Sequence, residues 1–460
     1  MHPRQEIDLK EVKPDIVRFF DYNDQDYTLY PGTELFTDSF NEKTYFSRIN
    51  NRNLGGNRRH QSIYIHLPFC STLCLYCDTI QHEKEDNRLL DRYIGYLLKE
   101  IRLLGELFQN APKIEQIHLG GGTPALLDQS QCGRLMDEIQ KQFILAKEGS
   151  FRITIDPHLT SDNSVNLFRE MGVNYLTIIV QNIDSQFHRR SSGKQTGKDN
   201  DSTVFKIMEI AQKNDFNTIR IELIYGLPGQ SKKNFSHTLD AIIAAQPNLI
   251  NLRSYNHQPE EFRAHKTIRA SNLPTIEEKF DLRLLAIHRL VNSGYIHIGM
   301  NLFARPDDQL VSAQRQGRLY YDLQGYSIYP DSDFIALGMS AIGKTGPIFV
   351  QNHGDLPHYY AQLDQNKLPV MRGLELSLDD ILRRSVIHAL ICHSVVSFES
   401  VETFFSIDFK HYFARELSVL ATHEKAGLVA INDEEISITP IGQLFVGSIC
   451  KIFDKYLRIN

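Results

Sequence analysis

The feature that most constrains the fold is a regular alternation between about residues 62 and 304. Short apolar runs alternate there with longer amphipathic segments, which is the pattern of repeated strand–helix units around a parallel sheet. The runs are rich in Ile, Leu, Val and Tyr, and most of them are followed by Gly, Pro, Asn or Asp. The predicted strands are 62–69, 114–119, 151–155, 175–181, 218–227, 249–255 and 295–300.

The segments between these strands have the spacing of helices with one apolar face. After the first strand, apolar residues recur at three- and four-residue steps: Leu90, Ile94, Leu97, Leu98, Ile101, Leu104 and Phe108. Helices of this kind would cover a parallel sheet. A partial barrel and an open doubly wound sheet both fit the alternation, and both place functional groups at the carboxyl ends of the strands.

The pattern changes after about residue 370. We predict helices at 376–392, 397–404 and 408–424, a hairpin at 427–438 and a last helix from Pro440. This order resembles a winged-helix unit. The chain has 50 basic and 56 acidic residues and a net charge of -6, so it lacks the positive field that nucleic-acid binding needs. We therefore expect this unit to pack or to cover a substrate, and we expect no nucleic-acid partner.

Targeting signals are also absent from the sequence. No run reaches the roughly 18 to 20 apolar residues of a membrane span, and the amino terminus lacks the apolar core of a signal peptide. Six cysteines are too few for a disulfide scaffold in a chain of 460 residues. These features predict a cytoplasmic protein without a membrane span, in which the scattered Cys132, Cys392 and Cys450 are small buried apolar residues.

The other three cysteines form a cluster. Cys70, Cys74 and Cys77 have the spacing C-x3-C-x2-C and directly follow the apolar strand IYIHLPF. Three thiolates on one loop suit an iron–sulfur cluster, whose fourth iron would then be available to a small molecule. Zinc is the alternative, but a structural zinc site needs a fourth ligand at short spacing, and His66 and His82 are irregularly placed.

A glycine-rich loop follows the second predicted strand. The sequence GGGTP at residues 120–124 comes after IEQIHL, and the missing side chains let backbone N–H groups approach a ligand. A tight strand-to-helix turn is the alternative interpretation. Gln181, Glu222 and the stretch IYGLPGQ at 224–230 also lie at ends of predicted strands, where polar groups can meet a ribose.

Together these motifs resemble the radical S-adenosylmethionine superfamily, and within it the oxygen-independent coproporphyrinogen III oxidases. The resemblance runs from about residue 25 to the carboxyl terminus and includes YIHLPFC, HLGGGTP, IYGLPGQ, GMNLFARPDDQLVSAQRQG, LQGYSIYPDSDF and LGMSAIG. It implies an α/β fold built on a partial (β/α)6 barrel. The expected division is an amino-terminal extension (1–60), the barrel (61–305), a connecting, substrate-site segment (306–369) and a mostly helical carboxyl-terminal domain (370–460).

The resemblance also implies cofactors and a reaction. Cys70, Cys74 and Cys77 would hold a 4Fe-4S cluster, and its electron would split S-adenosylmethionine to a deoxyadenosyl radical that starts the oxidative decarboxylation of two substrate propionates. The further implied partners are a tetrapyrrole of the coproporphyrinogen III type and an electron donor such as flavodoxin or ferredoxin, with the protein acting as a monomer. Tyr64, Gly121 and Ile342 would contact a first S-adenosylmethionine, and Tyr76, Gly122, Thr123, Gln181, Glu222 and Asn256 a second.

The chain departs from the family at four places. Thr79 stands where the family has Cys, Thr154 where it has Glu, Gly193-Lys194 where an Arg follows a small residue, and Asn301-Leu302 where it has Asp-His. Lys194 would then meet the ligand carboxylate without the planar fork of an arginine. A non-catalytic heme-binding paralogue and a radical methyltransferase are the alternative functions. The candidate cations for substrate carboxylates are Arg253, Arg263, Arg305 and Arg315.

Overall fold

A computed structural model of the chain describes residues 16–17, 20, 29–53, 61–70, 82–83, 87–108, 112–181, 200–330 and 333–457. Its strands are β1 (Gln61–Leu67), β2 (Phe69–Cys70), β3 (His82–Glu83), β4 (Lys113–Gly121), β5 (Ile144–Ile155), β6 (Tyr175–Val180), β7 (Thr218–Tyr225), β8 (Leu249–Ser254), β9 (Ile296–Gly299), β10 (Leu302–Ala304), β11 (Tyr320–Asp322), β12 (Gly325–Ser327), β13 (Asp333–Leu337), β14 (Ile342–Thr345), β15 (Ile348–Asn352), β16 (Val370–Glu375), β17 (Val395–Ser397), β18 (Val429–Ile431) and β19 (Glu435–Ile438).

The α-helices alternate with these strands and then dominate the carboxyl-terminal part. They are α1 (Glu42–Asn53), α2 (Asn87–Gly105), α3 (Gln129–Gln142), α4 (Asp162–Glu170), α5 (Asn200–Lys213), α6 (Lys232–Ala244), α7 (Ile276–Asn292), α8 (Gln309–Arg315), α9 (Leu356–Asp364), α10 (Leu378–His393), α11 (Phe398–Phe405), α12 (Phe409–Tyr412), α13 (Ala414–Lys425) and α14 (Val446–Lys451). Helices α3, α6, α7 and α10 each begin with a capping box. In it, the side chain of the N-cap residue accepts the N–H three residues later, and the side chain of that later residue accepts the N-cap N–H. Among the helices that the structure describes, none is both long and apolar enough for a bilayer crossing.

The strand order distinguishes the two architectures that the alternation allowed. Strands β1, β4, β5, β6, β7 and β8 are parallel neighbours in chain order, without the reversal that defines a doubly wound sheet. Right-handed crossovers between sequential strands place their helices on one face of the sheet, which then curves into a partial barrel. The predicted barrel and its first six strands are confirmed.

The last predicted run, 295–300, also forms a strand, but it does not continue the parallel series. Strand β10 pairs antiparallel with both β8 and β9 and separates them. The three-residue β10 is too short to give a periodic signal. The chain reverses direction at Gly299 and Met300, which both have positive φ angles, and β10 therefore pairs with β9 directly after it.

The sheet also extends beyond β1, which the apolar pattern did not predict. Strand β13 pairs parallel with β1, and β14, β15 and β16 follow as an antiparallel series. Three strands of the predicted connecting segment, 306–369, therefore belong to the same sheet, so the segment does more than join two domains. The division of the chain into four domains stays a prediction.

The carboxyl-terminal part has the predicted mixture of helices and a small hairpin. Strands β17, β19 and β18 form an antiparallel sheet, in which β18 and β19 are the predicted hairpin. The helix predicted at 408–424 is divided into α12 and α13, because Phe413 leaves helical geometry with φ -101° and ψ 25°. The helix predicted from Pro440 starts later, as a 3-10 turn over Gly442–Phe445 that continues into α14.

The two faces of the parallel sheet differ in burial. On the outer face, Ile153, Ile178, Ile221 and Leu252 are completely buried beneath helices. Side chains at the alternate positions point toward the inside of the curved sheet, and we call this side the lumen face. Most of these side chains are half-buried. They are Tyr64, His118, Arg152, Thr154, Tyr175, Arg220, Glu222, Asn251 and Arg253. Half-burial inside a barrel means open space, so this face is available to a ligand.

A buried carboxyl group connects the first helix of the barrel to its added strands. Glu100 on α2 is 2% exposed. It accepts hydrogen bonds from the Tyr359 hydroxyl at 2.6 Å, the Gly338 N–H at 2.8 Å and the Asn352 side-chain amide at 2.7 Å. Burial raises the pKa of Glu100 to about 7, although these three donors oppose the shift.

We predict that Glu100→Gln removes a pH dependence of stability. The pKa is higher in the folded chain, about 7, than its ordinary 4.5, so the folded state binds more protons between these values. The resulting stabilisation is complete below about pH 4.5 and is lost as the pH rises through about 7, a total of about 3 kcal/mol.

The measurement is the free energy of unfolding of wild type and Glu100→Gln in urea, at steps between about pH 5 and about pH 8. The wild type should lose about 2 to 3 kcal/mol relative to the variant over this range. Parallel pH profiles for the two proteins would contradict the assigned protonation of Glu100.

Candidate active site

The glycine loop and the cysteine-bearing strand are joined through their backbones. The Gly122 N–H donates to the Leu67 carbonyl at 2.5 Å, and the Thr123 N–H donates to the Phe69 carbonyl at 2.7 Å. Cys70 ends β2, directly after Phe69, and is 5% exposed. The carboxyl ends of β1 and β4 therefore present Cys70 and the glycine loop side by side.

This close approach requires glycine. A Cβ atom on Gly122 would lie 2.1 Å from the Phe69 carbonyl oxygen, and one on Gly121 would lie 2.7 Å from the His66 ring. Gly121 also has a φ of +101°, in the region that side chains disfavour. The triplet is therefore a turn that also contacts the neighbouring strands, and its contact with a ligand stays a prediction.

Tyr64 and His66 stand next to this contact on β1. The Tyr64 hydroxyl and His66 Nδ1 share a hydrogen bond of 3.0 Å. Burial raises the pKa of Tyr64 well above its ordinary value and lowers the pKa of His66 to about 4, so both side chains are uncharged at neutral pH. His66 Nε2 is buried without a hydrogen-bond partner among the described residues, which leaves this atom for a ligand at the glycine loop.

These features fit an iron–sulfur cluster and S-adenosylmethionine. Cys70 supplies a thiolate donor at the carboxyl edge of the sheet, and the orphaned His66 nitrogen is a polar atom beside it. The glycine loop lets a ligand come close to both, although its Gly122 and Thr123 N–H groups bind the neighbouring strands. Cys74 and Cys77 lie outside the described residues, as does Thr79. The described part of the chain accordingly contains no complete set of metal ligands.

Deeper in the lumen, His118 is held between two side chains. Its Nδ1 is 3.0 Å from the Gln324 amide nitrogen, and its Nε2 is 2.9 Å from the Thr154 hydroxyl. Because an amide nitrogen can only donate, Nδ1 accepts and the ring proton lies on Nε2. Burial, and then the charges of Arg152 and Arg220, lower the pKa of His118 well below its ordinary range. The departure at Thr154 thus gives a neutral His–Thr contact.

Glu222 is the carboxylate on the lumen face of β7, and it has two direct partners. One of its oxygens is 2.5 Å from Arg220 Nη2, and the other accepts the Asn251 amide at 2.7 Å. Both arginine and carboxylate side chains are about one-eighth exposed, at 12% and 13%. A ribose hydroxyl that binds Glu222 would have to share the carboxylate with these two partners.

The other predicted ligand contacts lie along the same edge. Gln181 directly follows β6, and Asn256 follows β8 by two residues. Ile342 begins β14, which runs antiparallel to β13, so it too lies at the carboxyl edge, where it packs against the apolar cluster of Phe36, Phe349 and Leu376. Tyr76 and Lys194 lie outside the described residues, and so does Gly193. The individual ligand contacts stay predictions.

Of the four candidate cations, one lies on the lumen face. Arg253 is half-buried near the end of β8, whereas Arg305 pairs with Asp307 at the surface and Arg315 is exposed on α8. The side chain of Arg263 lies outside the described residues. At the fourth departure, Leu302 is 3% exposed in β10, and the neighbouring Asn301 is 7% exposed with its Oδ1 unpaired among the described residues.

Sequence reasoning missed most of the lumen-face residues: His118, Arg152, Tyr175, Arg220 and Asn251. It also missed Gln324, which contacts His118, and Asp322, which acts on Arg152 through space. A signal was present, because polar residues occupy alternate positions in otherwise apolar strands, as in FRITI at 151–155 and TIRIEL at 218–223. Strands buried under helices on both faces would be apolar at every position. The alternation therefore marks a strand with one polar, ligand-facing side.

Comparisons with known proteins agree with this architecture. The radical SAM superfamily model matches residues 64–242, and the model of the HemN C-terminal domain matches residues 376–445. The chain is 34% identical to the oxygen-independent coproporphyrinogen III oxidase of Pseudomonas aeruginosa over 453 residues, which cover 98% of this chain and 97% of the relative. The chain belongs to the oxygen-independent coproporphyrinogen III oxidase family.

Other members of the family support the same conclusion. The oxygen-independent coproporphyrinogen III oxidase of Escherichia coli strain K12 is 33% identical over 96% of this chain and 95% of its own. The solved structure of coproporphyrinogen III oxidase (HemN) from Escherichia coli, a radical SAM enzyme, has a TM-score of 0.90 with 32% identity and covers 98% of this chain and all of that one. The chain is therefore a radical SAM oxidoreductase of heme biosynthesis, whose cofactors are a 4Fe-4S cluster and S-adenosylmethionine.

We predict that Gly122→Ala uncouples the glycine loop from β2. The new Cβ would lie 2.1 Å from the Phe69 carbonyl, so the backbone must move, at a cost of about 1 to 3 kcal/mol in folding free energy. We expect S-adenosylmethionine affinity to fall at least about tenfold, because the loop no longer lies at the cluster edge. Equilibrium dialysis with anaerobically reconstituted protein measures the affinity.

Gly133→Ala is the matched control. Gly133 lies within α3, and a Cβ there meets nothing within 4 Å. This change should stabilise the chain by up to about 1 kcal/mol and leave S-adenosylmethionine affinity unchanged. Equal affinities for Gly122→Ala and wild type would refute the assigned role of the loop.

Proposed function

We propose that the chain converts two propionate side chains of coproporphyrinogen III to vinyl groups, giving protoporphyrinogen IX. Each conversion removes a β-hydrogen atom from a propionate, after which carbon dioxide leaves and one electron passes to an external one-electron acceptor. The observation that carries the proposal is the pair of backbone hydrogen bonds that fixes the glycine loop beside Cys70. Full-length similarity to enzymes named for this substrate supports it.

The cofactors define what the residues of the chain must do. When bound, the cluster and S-adenosylmethionine supply the one-electron chemistry that begins with hydrogen-atom removal. Cys70, together with Cys74 and Cys77, would hold the cluster. The loop of Gly121, Gly122 and Thr123 would bind the methionine end of the ligand.

The lumen residues would hold the remaining polar groups in place. Gln181, Glu222 and Asn256 would surround the ribose of one S-adenosylmethionine, while Tyr64 and Ile342 would contact another. Because the pKa of Tyr64 is raised, its hydroxyl keeps its proton and acts as a neutral hydrogen-bond partner. His118 stays neutral and donates its Nε2 proton to Thr154.

The proposal includes partners that fit this chemistry. A one-electron protein donor such as flavodoxin or ferredoxin would reduce the cluster, and the chain would act as a monomer in the cytoplasm, without a nucleic-acid partner. Lys194 would face the carboxylate of S-adenosylmethionine as a point charge. Two S-adenosylmethionine molecules would bind during turnover.

We predict that the wild type, anaerobically reconstituted and chemically reduced, converts coproporphyrinogen III to protoporphyrinogen IX and forms 5′-deoxyadenosine. Cys70→Ala should lose both products, because a cluster ligand is missing. Product analysis by chromatography and iron determination on the same samples separate loss of chemistry from loss of the cluster.

Cys132→Ala is the control for loss of a buried cysteine. Cys132 lies on the buried face of α3, is 1% exposed and should behave as a small apolar side chain. Its removal should therefore leave iron content and turnover intact. Heme binding at one equivalent, with no 5′-deoxyadenosine under conditions where the Escherichia coli enzyme works, would replace the proposed reaction with a heme-binding role.

A further inference from the structure

The lumen contains a cation that has no direct anionic partner among the residues that the structure describes. Arg152 lies on the lumen face of β5, and its guanidinium carbon is 4.1 Å from the centroid of the Tyr175 ring. Among the described residues it forms no ion pair, and its Nε is buried without a hydrogen-bond partner. Glu222 and Asp322 act on it through space but not in contact.

The neighbouring arginine of the same lumen, Arg220, does have a direct anionic partner. Arg220 contacts Glu222 at 2.5 Å and is hydrogen-bonded to Tyr175. Asp322 accepts the Gln324 N–H at 2.7 Å, and its burial raises its own pKa. Glu222 is therefore occupied by Arg220, whereas Arg152 contacts no anion among the described residues.

An unpaired cation in this position is costly. Burial lowers the pKa of Arg152, and the charge of Arg220 acts in the same direction. Stacking over an aromatic ring offsets only part of this cost, since cation–π contacts are worth about 0.5 to 2 kcal/mol. A structural role alone gives no reason to place a guanidinium there when an apolar side chain would pack well.

The position is open to a ligand. The register places Tyr64, His118, Arg152 and Tyr175 in one row across β1, β4, β5 and β6. At about 3.3 Å per residue, this row lies about 10 Å below the carboxyl end of β5. Arg152 is half-buried, so a group that enters from the strand ends can reach it. Its neighbours His118 and Tyr64 are neutral and do not supply the missing negative charge.

We propose that Arg152 binds a carboxylate of a ligand within the lumen, as a planar fork that completes an ion pair only when the ligand is present. This inference rests on the proposed function, which supplies two sources of such a carboxylate: a propionate of the tetrapyrrole and the carboxylate of S-adenosylmethionine. Arg152 would be a binding residue, and the experiment distinguishes the two sources.

The first arm measures the affinity of coproporphyrin III, the air-stable tetracarboxylate macrocycle, by fluorescence titration. Arg152→Gln should weaken this affinity by about 10- to 100-fold, since a charge-assisted bidentate contact is lost. The affinity of coproporphyrin III tetramethyl ester, which has no free carboxylate, should be the same for wild type and variant. Arg152→Lys keeps the charge without the fork and should lose less.

The second arm measures S-adenosylmethionine affinity by equilibrium dialysis with reconstituted protein. A fall in this affinity alone assigns the carboxylate of S-adenosylmethionine, and a fall in coproporphyrin III affinity alone assigns a propionate. Arg134→Gln, an exposed arginine on α3 that pairs with Asp91, is the control and should change neither affinity.

The proposal is overturned if neither ligand binds more weakly to Arg152→Gln, or if the ester loses as much affinity as the free acid. The thermal unfolding midpoint of each variant shows whether it is folded. If Arg152→Gln does not fold, the affinities of Arg152→Lys are compared with those of the wild type instead. Weaker carboxylate binding by the variant, together with no turnover by the wild type, would preserve this site and reject the proposed function.

Discussion

The site depends on two backbone hydrogen bonds, Gly122 to Leu67 and Thr123 to Phe69. They bring the loop after one parallel strand against the carboxyl end of the preceding one, at the place where Cys70 begins the cysteine cluster. No side chain fits into this contact, which explains the glycine triplet. Under the proposed function, the cluster and S-adenosylmethionine would meet at this edge of the sheet.

The open lumen is the second constraint. A complete barrel fills its interior with apolar side chains, but this sheet leaves polar groups half-buried on its concave face. Glu222 and Arg220 neutralise each other there, and His118 is held neutral. Arg152 is charged and contacts no anion in the described part of the chain. The distribution of charge suits a ligand that carries carboxylates.

Much of this architecture follows from the sequence because the outward strand positions must be apolar to bury against helices. The strands from Gln61–Leu67 to Leu249–Ser254 were predictable for that reason, and the cysteine and glycine motifs follow their ends. Strands β10 and β14 have only three and four residues, which is too short for a periodic signal. Strand β13 pairs with β1, which lies far away in the sequence, and β15 and β16 were also not predicted. The contact between Arg220 and Glu222, and the distance of Arg152 from both carboxylates, depend on side-chain positions in three dimensions. The periodicity of the sequence does not give these positions.

Paramagnetic resonance of the anaerobically reconstituted and reduced protein, recorded with and without S-adenosylmethionine, tests the central claim most directly. A 4Fe-4S cluster with one iron open to ligand beside the glycine loop should give a reduced-cluster signal that shifts when S-adenosylmethionine is added. A protein that contains zinc and shows no cluster signal, or a signal that S-adenosylmethionine leaves unchanged, would contradict the account.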